Sequence, residues 1–150
     1  LAHRISAGVL ALNEGRILLV RHYRNDHHDF WVGPGGGVEG GEELPAAAER
    51  ECLEETGLTV RVSRLAYIDE LWSDTDRAIK FWFLADYVSG ALDVNANPAD
   101  GESIVEAAWF TRDDLPEGHV FPDPLRTRFW DDLATGFPHP IKLPLRRMQF

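Results

Sequence analysis

Apolar residues recur in short runs bounded by turn residues, and one segment near the middle carries a strong helical composition. Ile5 to Leu12 predicts a strand, ended by the turn residues Asn13-Glu14-Gly15. Arg16 to Tyr23 is its expected hairpin partner, with Ile17-Leu18-Leu19-Val20 as a buried run. His22 to Asp29 is polar and predicts a loop. Phe30-Trp31-Val32 then leads into Gly33-Pro34-Gly35-Gly36-Gly37, a stretch expected to form neither regular helix nor strand. Pro45 suits a first helical turn, where its missing N–H costs little. Ala46 to Thr56 is rich in good helix formers, and Gly57 stands where a left-handed C-cap belongs. Leu58 to Asp69 and Ala78 to Val88 predict strands around a loop at Ser73 to Asp76. Alternation along the second puts Phe81 and Phe83 on one face and Trp82 on the other. Ile104 to Thr111 predicts a further strand, and Asp123 to Leu133 a closing helix ended by Gly136 and Pro138. Strands on both sides of a central helix, with a late helix, predict an α+β fold: a mixed β-sheet with helices on both faces, an α/β/α sandwich.

Composition narrows the function. The chain has 150 residues, 44% hydrophobic and 27% charged, which predicts one globular domain over residues 1–150. Cys52 is the only cysteine, so an intramolecular disulfide and a multi-cysteine zinc site are excluded. The net charge of −10 repels nucleic-acid polymers on average. An anionic substrate would need its charge screened, and a divalent metal is the natural agent. No apolar run is long enough to span a bilayer. The chain opens on Leu1 rather than methionine, and its first ten residues carry no basic-then-apolar leader pattern, so a cytoplasmic location is expected.

The most informative segment runs from Gly36 to Leu58. Glu51, Glu54 and Glu55 are spaced i, i+3, i+4 and share one helix face. Like charges there oppose one another unless a cation sits among them, and oxygen ligands favour Mg²⁺ or Mn²⁺ over zinc. The plainer reading is a solvated helix face. Arg50 counts against it, being placed to pair with Glu54 at i+4 and fix its orientation.

The full string is Gly36, five residues, Glu42, seven residues, Arg50-Glu51-Cys52, one residue, Glu54-Glu55, one residue, Gly57-Leu58. It resembles the Nudix box, G-x5-E-x7-R-E-U-x-E-E-x-G-U, where U is aliphatic. Every fixed letter matches, and only Cys52 departs, at the first aliphatic position. Such a match arises by chance at on the order of 10⁻⁸ per start position. Trp31, Pro34-Gly35-Gly36 and Gly40-Gly41-Glu42 are similar to the family's flanks. The order of elements is similar to that of a whole Nudix domain.

The resemblance implies hydrolysis of a nucleoside diphosphate linked to another moiety, at a P–O–P bond, with Mg²⁺ or Mn²⁺. It implies that Glu51, Glu54 and Glu55 bind metal and serve catalysis, with Gly35 offering a backbone carbonyl to the metal. Arg50 would orient the glutamates, Glu42 would act structurally or in the outer shell, and Gly36 and Gly57 complete the motif. Cys52 is read as a core residue and not a nucleophile. A further ligand or base is expected outside the box, with Glu102 and Glu106 as the candidates. Glu106-Ala107-Ala108-Trp109-Phe110 resembles a late family stretch, whereas Ser103 stands upstream of it where members often carry Glu.

Gly35, Gly37 and Gly40 also spell G-x-G-x-x-G, but Glu39, Glu42 and Glu43 would repel a pyrophosphate there, which argues against a dinucleotide site. His22, His27 and His28 are read as an entrance or as solvated loop residues. Arg21 and Arg24 are candidates for holding a terminal phosphate, and Trp72 for contacting a base. The expected partner is a small nucleotide, either a nucleoside triphosphate or a sugar nucleotide, with no nucleic-acid polymer and no membrane; a homodimer is left open. No proline lies between Leu58 and Asn97 to mark an ADP-ribose enzyme, and no coenzyme A motif precedes the glycines. The alternative class is a non-catalytic Nudix-fold module that senses a nucleotide.

Overall fold

The first hairpin forms as its pattern predicts and then splays apart. In the computed structural model, which describes residues 1–94 and 103–149, β1 (Ala2–Asn13) and β2 (Arg16–Arg24) pair only beside their turn, at Leu12 with Ile17 and Asn13 with Arg16. Beyond that point β1 runs parallel to β6 (Asp76–Ser89), from Ala2–Asp76 to Leu12–Asp86. β2 pairs instead with β3 (His28–Val32) and β7 (Ile104–Phe110). The space opened along β1 is taken by a short strand from the glycine stretch, β4 (Gly35–Gly37), antiparallel to Ser6–Gly8.

That strand corrects the expectation of irregular backbone at these glycines. Gly8 and Gly35 face each other, and a Cβ on Gly35 would lie 2.7 Å from the Gly8 Cα and 2.8 Å from the Ala7 carbonyl. The pairing exists because neither strand carries a side chain at that point. The loop expected at His22 to Asp29 is also shorter, only residues 25–27. Polar His22 and His28 lie on the strands, with both rings against Phe30 and both near the Ser103 hydroxyl.

The central helix, α1 (Leu44–Thr56), is followed by β5 (Thr59–Trp72), which pairs antiparallel with β6. β8 (His119–Phe121) adds parallel to β3; β9 (Ile141–Lys142) and β10 (Arg146–Arg147) each add parallel to β5. The single closing helix expected over 123–133 is two helices, α2 (Pro124–Thr127) and α3 (Phe129–Thr135). They break at Arg128 (φ −128°), whose guanidinium turns to grip Asp132, itself hydrogen-bonded by the Tyr67 hydroxyl at 2.6 Å.

Strand alternation then builds one core on each face of the curled sheet. Val9, Ala11, Phe83 and Ala85 pack with Ala47, Ala48 and Cys52 of α1. Leu10, Trp82, Leu84 and Tyr67 pack with Leu125 and Phe129 of α2 and α3. Helices therefore cover both faces, as the pattern predicts. Among the described residues no helix is long and apolar enough to cross a membrane.

Candidate active site on the carboxylate helix

Small side chains bring α1 close to the sheet, and this closeness places the glutamates. Ala47, Ala48 and Cys52 are fully buried. Burial pushes the Cys52 thiol up to about 12, so it is an inert core group, as read from the sequence. Gly57 ends the helix at φ 78°, and its N–H donates to the Leu53 carbonyl at 2.9 Å. Of the three carboxylates, Glu51 and Glu55 are buried and Glu54 is partly exposed.

The glycine strand is the wall against which they are set. The Gly35 N–H donates to Glu55 Oε1 at 2.7 Å. A Cβ on Gly36 would lie 2.6 Å from Glu51 Cδ, so glycine there leaves the room Glu51 occupies. Arg50 binds the rest together. It donates to both Glu42 oxygens at 2.7 and 3.0 Å, to Glu51 and Glu54 at 3.1 Å each, and to the Gly37 carbonyl at 3.2 Å. These hydrogen bonds, those of Glu42 foremost, hold its guanidinium firmly protonated. Glu42 is held below the usual carboxylate range, chiefly by Arg50 and then by the Glu39 N–H. The i+4 pairing of Arg50 with Glu54 is therefore present, within a wider network that ties loop to helix.

The donor set fits a hard divalent cation: all oxygen, on one helix face, with Glu51 seated in a cradle that any Cβ would fill. Among the described residues no three His, Cys, Asp or Glu side chains already converge as a metal cage, and Arg50 Nη1 bridges Glu51 and Glu54.

On the Trp82 face of the sheet lies a cleft of about 240 Å³, walled by Phe30, Trp82, Phe121, Asp69, Lys80 and Arg146 among others, and Lys80 brings it within electrostatic reach of Glu55 and Glu51. Asp69 is buried and accepts from Arg146 at 3.1 and 3.4 Å, while the Arg146 guanidinium lies 5.0 Å over the Phe121 ring. Lys80 Nζ lies 4.2 Å from the Trp82 ring centroid. Loss of water pushes the Lys80 ammonium down, against the pull of Glu55, Asp69 and Glu51.

Other residues singled out in the sequence fall elsewhere. Arg21 spends its guanidinium on Asp29 at 2.9 Å and Glu106 at 2.8 Å. That engages both Arg21, a candidate for phosphate, and Glu106, a candidate for metal. Arg24 is exposed at the end of β2. The ring of Trp72 has Arg147 over it at 4.6 Å. His22 and His28 pack on Phe30, which does line the cleft, and His27 is exposed. Glu102 lies outside the described residues.

Sequence reasoning passed over Lys80, took Asp69 only as part of an acidic 69–76 segment suited to sugar hydroxyls, and set Arg146-Arg147 aside as too short for a nucleic-acid patch. A signal existed for the first two. Lys80 shares strand parity with buried Trp82 and Leu84, and Asp69 with buried Tyr67, so each is a charge on an inward strand face. Arg146 had none, since a two-residue strand carries no period.

Fold and site together define a class: an α+β domain whose glutamate helix is pinned by an arginine against a glycine strand. The chain belongs to the NUDIX domain family, whose model matches residues 2–129. It is 35% identical over 105 residues to the NAD-capped RNA hydrolase NudC of Salmonella heidelberg, a match covering 69% of this chain and 37% of that protein's length. Among solved structures it is similar to a MutT NUDIX hydrolase from Burkholderia pseudomallei (25% identity, TM-score 0.71, covering 85% of this chain and 99% of that one). An ADP-ribose pyrophosphatase from Streptococcus suis shares the fold at 23% identity and TM-score 0.66, covering 97% of this chain and 98% of that one.

Proposed function

We propose that this chain is a divalent-metal-dependent hydrolase of P–O–P bonds that acts on a small nucleotide in the cytoplasm. The substrate is a nucleoside triphosphate or a nucleoside diphosphate joined to a sugar. The observation that carries this reading is the set Glu51, Glu54 and Glu55, oriented by Arg50 and the Gly35–Gly37 strand and opening beside an aromatic and cationic cleft. Arg50 and Lys80 bring two positive charges against the four negative ones of Glu42, Glu51, Glu54 and Glu55, and a divalent cation would complete the balance.

Glu51 and Glu55 would hold Mg²⁺ or Mn²⁺ from fixed positions, and Glu54, the most exposed of the three, would complete the set and take a proton from water. The bound metal supplies charge cancellation on the diphosphate and acidifies that water. Arg50 keeps the carboxylates turned to one side. Phe30 and Phe121 border the cleft as its aromatic wall, Trp82 forms its floor beneath Lys80, and the cleft is small against the roughly 300–1,000 Å³ of sites for drug-sized ligands, which suits one base or sugar.

One observation favours the rival, a nucleotide-sensing module: Arg50 already neutralises Glu51 and Glu54. A panel of nucleoside triphosphates, sugar nucleotides and dinucleotides with Mg²⁺ or Mn²⁺ separates the two. Turnover that disappears with chelator and in Glu54→Gln is the expected result. Nucleotide binding without product under either metal would establish the sensor.

A further inference from the structure

Lys80 is the least expected charge in the cleft. It sits on β6 between Ile79 and Phe81, and its side chain shares the face of Trp82. Three glycines make room for this pair. A Cβ on Gly8 would lie 2.6 Å from Trp82 Cζ3, and one on Gly33 2.7 Å from the same atom. One on Gly35 would lie 3.1 Å from Lys80 Cε. The indole lies flush against bare backbone, and the lysine stem passes over it to reach Gly35, whose N–H holds Glu55.

The lysine thereby bridges two regions. On one side are Glu51 and Glu55 of the helix; on the other are Asp69 and Arg146 in the cleft wall. The Trp82 ring face fixes its ammonium by cation–π attraction. A compact ammonium placed between metal-binding carboxylates and an aromatic cleft meets the part of a nucleotide that lies between metal and base, its phosphates. The sequence candidates for that role do not take it up: Arg21 is engaged by Asp29 and Glu106, and Arg24 sits exposed at the end of β2.

We propose that Lys80 is the phosphate-binding residue of this site, donating to a non-bridging oxygen of the nucleotide diphosphate at the junction of the carboxylate helix and the cleft. The proposal rests on the reading of the cleft as a nucleotide site. It specifies a charge–charge contact that a residue merely packing on Trp82 would not make.

The test uses the full chain, and ADP as the probe, titrated calorimetrically at low salt without metal. Lys80→Met should weaken ADP by about tenfold to a hundredfold, the range of one lost charge-assisted contact, while Lys80→Arg stays within about threefold of the wild type. Mn²⁺ binding without nucleotide should not weaken with it. Removing a cation from beside Glu51 and Glu55 leaves Mn²⁺ affinity unchanged or raises it. With a hydrolysed substrate from the panel, Lys80→Met should raise KM and lower kcat/KM. Should the apolar head not be tolerated in folding, Lys80→Gln serves for the same comparison. ADP affinity unchanged in Lys80→Met or Lys80→Gln overturns the assignment, as does Mn²⁺ affinity lost in parallel with ADP. A wild type that binds ADP but hydrolyses nothing overturns the hydrolase reading and leaves Lys80 decided by the binding data. A wild type that does not bind ADP overturns the cleft assignment and Lys80 with it.

Discussion

Arg50 reaches Glu42, Glu51, Glu54 and the Gly37 carbonyl from one side chain, so replacing it exposes several dependences together. Arg50→Met leaves three carboxylates facing one another, two of them little exposed. We expect a stability loss of about 1–3 kcal/mol in urea denaturation, the cost of charge-assisted bonds left unmade. Mn²⁺ should restore more of that loss in the variant than it adds to the wild type; equal increments would mean the cation does not enter among these carboxylates. Glu42 sets the acid behaviour of the same network. Its folded carboxyl lies below the unfolded value of about 4.3, so its contribution is fully present above that pH and is lost as pH falls through the folded value. Glu42→Gln should therefore flatten the stability–pH curve on the acid side of the unfolded value and leave its slope near neutrality alone. Equilibrium unfolding across that range decides it. The Arg50–Glu54 pair was legible from spacing alone. The bidentate grip on Glu42 was legible only as a motif letter, because nothing in an eight-residue separation across the start of a helix says that two side chains meet.

Among the elements, the glycine strand shows how local chemistry can be overridden. A Gly-Pro-Gly-Gly-Gly run has every local reason to be irregular, yet Gly35–Gly37 pairs with β1 because Gly8 faces it. That reason lies 27 positions away in the chain and in no local window. The consequence for the site is specific to position. Gly36→Ala would put a methyl 2.6 Å from Glu51 Cδ, so Glu51 must leave its seat, whereas a Cβ on Gly41 meets nothing within 4 Å. We expect Gly36→Ala to weaken Mn²⁺ binding at least about tenfold with the thermal transition still cooperative, and Gly41→Ala to stay within about 0.5 kcal/mol of the wild type in stability. Calorimetric Mn²⁺ titration alongside thermal unfolding distinguishes this from general damage, which would affect both variants or lower stability first. The helix was the most legible element, since Pro45, the Ala-Glu-Arg run and Gly57 agree with one another. The break at Arg128 was not, since no Pro or Gly marks it and the groups engaged there include Tyr67 from a distant strand.

At the scale of the whole molecule, charge and cleft size bear on the substrate. Relatives bearing the NAD-capped RNA hydrolase name share about a third of their residues with this chain over the matched region, and the chain spans 37% of their length. The activity for which those relatives are named thus supplies the rival substrate to test. The net charge of −10 opposes a polyanion along its length, while a single diphosphate meets only the local field, where Lys80 and Arg146 stand in the cleft wall. The cleft of about 240 Å³ has the size for one base, and its aromatic walls Phe30, Trp82 and Phe121 surround one space and do not form a row of platforms. We therefore expect free NAD, or whichever small nucleotide the panel identifies, to be cleaved with a higher kcat/KM than the same cap carried on an RNA oligonucleotide. Salt gives the comparison a second readout. A protein that tracks phosphates loses affinity steeply as salt rises, because counterions released on binding must be recaptured. A protein that repels the polymer shows the reverse, weak binding at low salt that improves with screening. Measuring both substrates between about 50 and 200 mM salt separates these cases. Tight binding of the capped oligonucleotide at low salt, falling steeply with added salt and accompanied by faster cleavage than any mononucleotide, would place an RNA-binding surface on this chain despite its charge and would overturn the small-substrate reading.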